Sequence, residues 1–131
     1  MFTSKDITAL EAWNLLTSKE NCALIDVRTE KELLSTGSPK LENRMYHIPS
    51  HEGPSMSANP FFIDELISKF PDKNIHLIFI CRTNARSNIS KEIATNLGYE
   101  NCYIVIDGYL GNELGAGWVN SKLPYEMLKK I

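Results

Sequence analysis

The residues best suited to chemistry stand together in Cys81-Arg82-Thr83-Asn84-Ala85-Arg86-Ser87. An apolar run, residues 75–80, precedes them, and a stretch follows in which Ile89, Ile93, Ala94 and Leu97 share one helical face. A thiol at such a strand-to-helix junction meets unpaired backbone amides and the positive end of a helix dipole, and Arg82 and Arg86 add two guanidinium groups. Each of these favours thiolate over thiol. Cys81 therefore reads as a nucleophile, against the plainer reading of a last residue in a buried strand, where Cys is common. Thiolate chemistry needs no separate base once the thiol is ionised, so His76, inside the preceding strand, reads as a hydrogen-bonded structural residue.

The elements that must position this loop are legible from periodicity. Residues 22–27 (CALIDV), 75–80 (IHLIFI) and 102–106 (CYIVI) are short, nearly continuous apolar runs, the pattern of strands covered on both faces. The second, rich in β-branched and aromatic residues, should be central. Thr8 with Glu11, and Thr29 with Glu32, have the spacing of capping boxes. The first opens a helix with the stripe Ala9, Ala12, Trp13 and Leu16, and the second opens a short helix directly after Arg28. Asn59-Pro60 marks a helix start, running to about Phe70, and Gly98 sits where a left-handed C-cap belongs. Residues 36–59 read as mostly loop with a short strand over 45–48. Gly108, Gly111, Gly115 and Gly117 make an irregular segment, and Pro124 begins a final short helix. Strands alternating with helices predict an α/β fold, a parallel sheet flanked by helices on both faces. Ligands in such folds bind beyond the carboxyl ends of the strands, here after Val27, Ile80 and Ile106.

Composition narrows the function classes. The chain has 131 residues, 43% of them hydrophobic, with no internal repeat or low-complexity tract, which predicts a single domain over 1–131. Fourteen basic against 16 acidic residues, net charge −2, give no nucleic-acid footprint. The longest apolar runs are about five residues, against the ~20 a membrane helix needs, and no secretory signal is readable. Cys22, Cys81 and Cys102 cannot all pair with one another and lack CxxC or metal spacing, which fits free thiols in a reducing cytoplasm. Cys22 and Cys102, inside strands, read as packing residues, with a resolving thiol as the alternative. His47 and His51 have the four-residue spacing of two ligands on a helix, but Pro49 between them opposes a helix; no metal or cofactor is expected.

The loop CRTNARS resembles that of the rhodanese family of sulfurtransferases, usually Cys-Arg/Lys-x-Gly-x-Arg followed by Ser, at Cys81, Arg82, Arg86 and Ser87. ITALEAWNLL is similar to the family's opening strand and helix, ALIDVRTEKEL to its Asp-Val-Arg strand end, and GYLGNELGAGWVNSKLP to its Gly-rich, Trp-containing close. The resemblance implies a double displacement. Cys81 takes the sulfane sulfur of a small anionic donor such as thiosulfate and passes it to cyanide or a thiol, a protein thiol included. The loop from Arg82, Thr83, Asn84 and Ala85 to Arg86 and Ser87 then binds substrate, its amides cradling the anion, with Arg82 attracting the donor. Arg86 either binds the oxyanion or braces the loop through an ion pair, for instance with Asp26; Asp26 and Arg28 support the loop. Trp118 and Gly117 read as rim or, for a lone Trp, core.

Two departures stand out. Asn84 replaces the usual Gly, where a positive φ is expected and where a side chain would narrow the entrance. The stretch 36–49 lengthens the approach to His47-Ile48-Pro49, reshaping access. Other readings of the same scaffold are a relay fed by a protein persulfide, a non-catalytic interaction module, and a phosphatase or arsenate reductase. The last two require Cys-x5-Arg, and only four residues separate Cys81 from Arg86.

Overall fold

The apolar runs become neighbouring strands in the computed structural model, which describes residues 3–128. In chain order the elements are β1 (Thr3–Ile7), α1 (Ala9–Ser18), β2 (Cys22–Asp26), α2 (Glu30–Thr36), β3 (Ser38–Pro39), β4 (Met45–His47), β5 (His51–Glu52), β6 (Ser57–Ala58), α3 (Phe62–Lys69), β7 (His76–Ile80), α4 (Ala85–Asn96), β8 (Asn101–Val105), α5 (Gly117–Asn120) and β9 (Tyr125–Glu126). The main sheet runs β1-β8-β7-β2-β4, with every pairing parallel and β7 in the centre. The register sets Asp26 opposite Ile80 and Phe79 opposite Ile104, so the carboxyl ends of β2, β7 and β8 meet along one edge.

Alternation of side chains across the strands splits the core in two. On one face Leu24, Ile78, Ile80 and Val105 pack with Ala9, Ala12 and Leu16 of α1 and Trp118 of α5. On the other, Ala23, Ile25, Leu77 and Phe79 pack with Phe62 and Leu66 of α3 and Ala94 of α4. Each fully buried Leu, Ile or Phe contributes roughly 1.5–3 kcal/mol of transfer free energy. Both capping boxes form: Glu11 N donates to Thr8 Oγ1 at 3.2 Å and Thr8 N to Glu11 Oε1 at 2.9 Å, with the same exchange between Thr29 and Glu32. Gly98 takes φ +100° after α4, as its C-cap position requires.

Four expectations need correction. The Asn59-Pro60 signal forms a turn first: Asn59 Oδ1 accepts from Phe61 N at 3.0 Å, and the helix starts at Phe62. Helix α4 starts at Ala85, inside the loop sequence, and Ile89, expected on its apolar face, is exposed. The face it buries is Ser87, Ser90 and Ala94, small side chains that let it lie close to the sheet. No helix begins at Pro124. Its carbonyl accepts from Lys40 N and from the Trp118 indole, at 2.9 and 2.7 Å, and these bonds draw Tyr125–Glu126 out as a strand antiparallel to Ser38–Pro39. Within 36–59, β3, β5 and β6 join the expected strand β4. No helix among the described residues is long and apolar enough to cross a membrane.

Candidate active site

Cys81 follows the last residue of the central strand and is 1% exposed, its side chain packed in the cluster that holds Val27, Ile48 and Phe79. The chain turns through exposed Arg82 and Thr83 and enters α4 at Ala85. The turn is held from outside, by the segment after β8. Tyr109 N donates to Cys81 O at 2.9 Å and to Arg82 O at 3.2 Å. Gly108, at φ +68°, lies so close beneath that an added Cβ would stand 2.6 Å from the Thr83 carbonyl oxygen and nearer still to that of Arg82.

This arrangement corrects the expectation for Asn84. Its φ is −152°, not positive, and its side chain turns away from the entrance: Nδ2 donates to Ile106 O at 3.1 Å, an oxygen that Asn112 Nδ2 also reaches at 3.0 Å. The left-handed glycine on which close backbone approach depends stands on the neighbouring turn, at Gly108, instead of in the loop.

Arg86 is likewise paired elsewhere than expected. Its guanidinium donates to both carboxylate oxygens of Glu32, at 2.6 and 2.9 Å, and not to Asp26. Glu32 Oε1 also accepts from Thr29 N and Oγ1, so one carboxylate closes the capping box of α2 and fixes the first turn of α4. Burial works to raise the Glu32 carboxyl, but hydrogen bonds from Arg86 and Thr29 outweigh it and hold it at about 2. The hydrogen bonding to Glu32 raises Arg86 further, against its own burial. Arg28 and Asp26 pair with each other, at 2.7 Å and almost fully buried. Arg28 also donates to Thr36 Oγ1 and Gly37 O, at 2.9 and 2.8 Å, and lies 3.8 Å over the Tyr109 ring. The pair supports the loop through Tyr109, without touching Arg86.

Ser87 Oγ is fully buried at the start of α4 with no hydrogen-bond partner among the described residues. A buried hydroxyl left so costs about 1–3 kcal/mol. Over the loop lies a cavity of about 710 Å3, lined by Glu32, Arg82 and Arg86 on one side and by Glu52, Pro54 and Met56 of the β5–β6 hairpin on the other. The wall of the entrance is thus supplied by the hairpin that follows the lengthened 36–49 stretch, and no residue of that stretch lines the cavity. Cys81 itself does not line that cavity.

The remaining candidates are placed apart. His47 Nε2 bonds to Arg28 O at 2.7 Å and His51 Nδ1 to Ser50 Oγ at 2.8 Å, on separate strands. His76 begins β7, at the far end of the strand from Cys81, hydrogen-bonded to Tyr103 at 2.7 Å, and burial holds it below its usual range. Burial pushes the Cys22 thiol up to about 11 despite Arg44 and Lys19 nearby, and raises Cys102 too; both lie toward the sheet's opposite end. Trp118 is core, its indole N–H donated to Pro124 O, and Gly117 is buried against Gly111. Glu32 as the partner of Arg86, Gly108 and Tyr109 as the loop's brace, and Asn112 were not foreseen as site residues; only the capping box and the run of glycines hinted at them.

A central parallel strand that ends in a cysteine loop and feeds a helix, in a five-stranded sheet covered on both faces, is a rhodanese-like fold. The protein Rv0390 from M. tuberculosis superposes with a TM-score of 0.84 at 30% identity, over 95% of this chain and 98% of that one. The polysulfide-sulfur transferase homodimer of Wolinella succinogenes shares the fold, with a TM-score of 0.72 at 20% identity over 95% of this chain and 78% of that one. In sequence, residues 5–131 match the model of the STR4 middle domain, and the chain belongs to that family. An uncharacterized protein of Rickettsia conorii is 38% identical over 124 residues, covering 93% of this chain and 97% of its own. The chloroplastic rhodanese-like domain-containing protein 4 of Arabidopsis thaliana is 28% identical over 94% of this chain and 26% of its own length.

Proposed function

We propose that this chain is a sulfurtransferase that carries sulfane sulfur on Cys81. The observation that carries the reading is the position of Cys81 where the central strand ends and the loop of Arg82 and Arg86 turns into α4. In the first half-reaction the Cys81 thiolate attacks the outer sulfur of a donor; with thiosulfate, the S–S bond of the donor breaks, sulfite leaves with that electron pair, and Cys81 becomes a persulfide anion. In the second, a thiophile such as cyanide or a thiol attacks the terminal sulfur and the Cys81 thiolate returns. Exposed Arg82 faces the cavity and draws the anion in, the amides at the start of α4 hold the negative sulfur, and the unpartnered Ser87 hydroxyl is a donor held in reserve near them. A free-thiol, reducing setting belongs to the same proposal.

Phosphate chemistry fits less well, because the Cys81-to-Arg86 spacing is one residue short and the Arg86 fork is already filled by Glu32. The test is the intact mass of reduced wild type and Cys81→Ser after incubation with thiosulfate. Wild type should gain one sulfur atom that cyanide then removes, and the variant, folded but without a thiolate, should gain none. Sulfur on the serine variant would move the chemistry off Cys81, and gain in neither would point to a relay fed by a protein persulfide or to a binding module.

A further inference from the structure

The charge around the entrance sets a preference among donors, a point that rests on the sulfurtransferase reading. The cavity is lined by three cations, Lys31, Arg82 and Arg86, and three carboxylates, Glu30, Glu32 and Glu52. A site built to concentrate a free dianion carries an excess of positive charge; this one is balanced. The guanidinium best placed to receive an oxyanion, Arg86 at the first turn of α4, has both arms on Glu32 at 2.6 and 2.9 Å. Glu32 is not a loose surface partner that an incoming anion can brush aside, since the same carboxylate caps α2 through Thr29 N and Oγ1 at 3.1 Å. Displacing it would break the cap and the ion pair together. That leaves Arg82, exposed and without an ion pair among the described residues, to meet the donor.

We propose that Glu32 is a donor-selecting residue: by occupying the Arg86 fork and adding a negative charge to the entrance, it turns Cys81 toward donors with one negative charge or none, thiol-carried persulfides included, and away from the thiosulfate dianion. The transferred group is the same in either case. A persulfide R–S–S⁻ gives up its terminal sulfur to the Cys81 thiolate: a new S–S bond forms to Cys81, the S–S bond of the donor breaks, and the thiolate R–S⁻ leaves with the electron pair.

The experiment compares thiosulfate with methanethiosulfonate, in which a methyl group stands where thiosulfate has a third oxygen and its charge. Wild-type chain, Glu32→Gln and Glu32→Asp are assayed with cyanide as acceptor, and the quantity read is the ratio of kcat/KM for thiosulfate to that for methanethiosulfonate. Gln keeps an oxygen for the capping box while removing the charge; Asp keeps the charge. One charge at close range near a protein surface is worth about a factor of ten or more. Wild type should favour the monoanion more than tenfold, Gln should raise the ratio about tenfold through a lower KM for thiosulfate, and Asp should stay within twofold of wild type. A ratio in Gln within twofold of wild type overturns the proposal, as does an equal rise in Asp, which would trace the effect to geometry. Sulfur loading with an unmoved ratio sinks donor selection alone. No loading of Cys81 from either donor or from an alkyl persulfide sinks the sulfurtransferase reading and this proposal with it.

Discussion

Asn84 shows how a single position can keep a loop's shape while changing where its constraint falls. At φ −152° it has no need of glycine's freedom, and its side chain ties the loop to Ile106 O. Asn84→Gly therefore removes a hydrogen bond, about 1 kcal/mol, and adds up to about 1 kcal/mol of unfolded-state freedom. Urea denaturation should show a loss of about 1–2 kcal/mol, with thiosulfate turnover equal to or below wild type. A clear rise in turnover would mean the Asn84 side chain does obstruct the entrance. At this scale the sequence is legible for what a residue is, and less so for whom it meets. Cys81, Arg82 and Arg86 announce themselves by type and spacing, but the partner of Arg86 lies 54 positions away, and no local pattern distinguishes Glu32 as a cap from Glu32 as a clamp.

Among the elements, the turn after β8 is the loop's brace. Gly108 sits at φ +68° against the Arg82 and Thr83 carbonyls, and Tyr109 N bonds to Cys81 O. Gly108→Ala combines left-handed strain, of order 1 kcal/mol, with a steric clash against backbone that cannot swing aside. The expected cost is more than about 2 kcal/mol by thermal or urea unfolding, and on the proposed sulfurtransferase reading sulfur transfer falls further than the lost folded fraction explains, because the Cys81 loop moves. A variant of wild-type stability and rate would show that the turn yields freely. The long elements are readable because their signals are local: apolar runs for β2, β7 and β8, and Thr-x-x-Glu for α1 and α2. The short strands β3, β5, β6 and β9 are not, since two residues each hold their shape only through a distant partner, as Ser38–Pro39 does through Tyr125–Glu126. Strand β1, Thr3-Ser-Lys-Asp-Ile, carries too little apolar character to be seen without β8 beside it.

For the whole molecule the Glu32–Arg86 pair is also a fastening between α2 and α4, and it gives stability a pH dependence. An unfolded glutamate titrates near its ordinary 4.5, and in the folded chain burial, opposed and outweighed by the bonds from Arg86 and Thr29, leaves it at about 2. A depressed carboxyl contributes stability that is complete above the unfolded value and lost as pH falls toward the folded one. Between about pH 5 and 2, wild type should therefore lose more unfolding free energy than Glu32→Gln. Parallel stability–pH curves for the two proteins would show that the pair contributes nothing to folding.

The sheet order carries a consequence in time. Thr3 lies opposite Asn101, and among the described residues β1 pairs with no strand except β8. During synthesis β1 emerges long before its partner β8 and must wait for it, and contacts of such long separation form slowly. The wait is made safer by the polar make-up of β1, which offers little for another chain to stick to. The loop of Cys81 shares the delay, because Gly108 and Tyr109, which hold it, leave the ribosome after β8. The thiol is thus made early and set in place late, in chains whose sheet already holds β8.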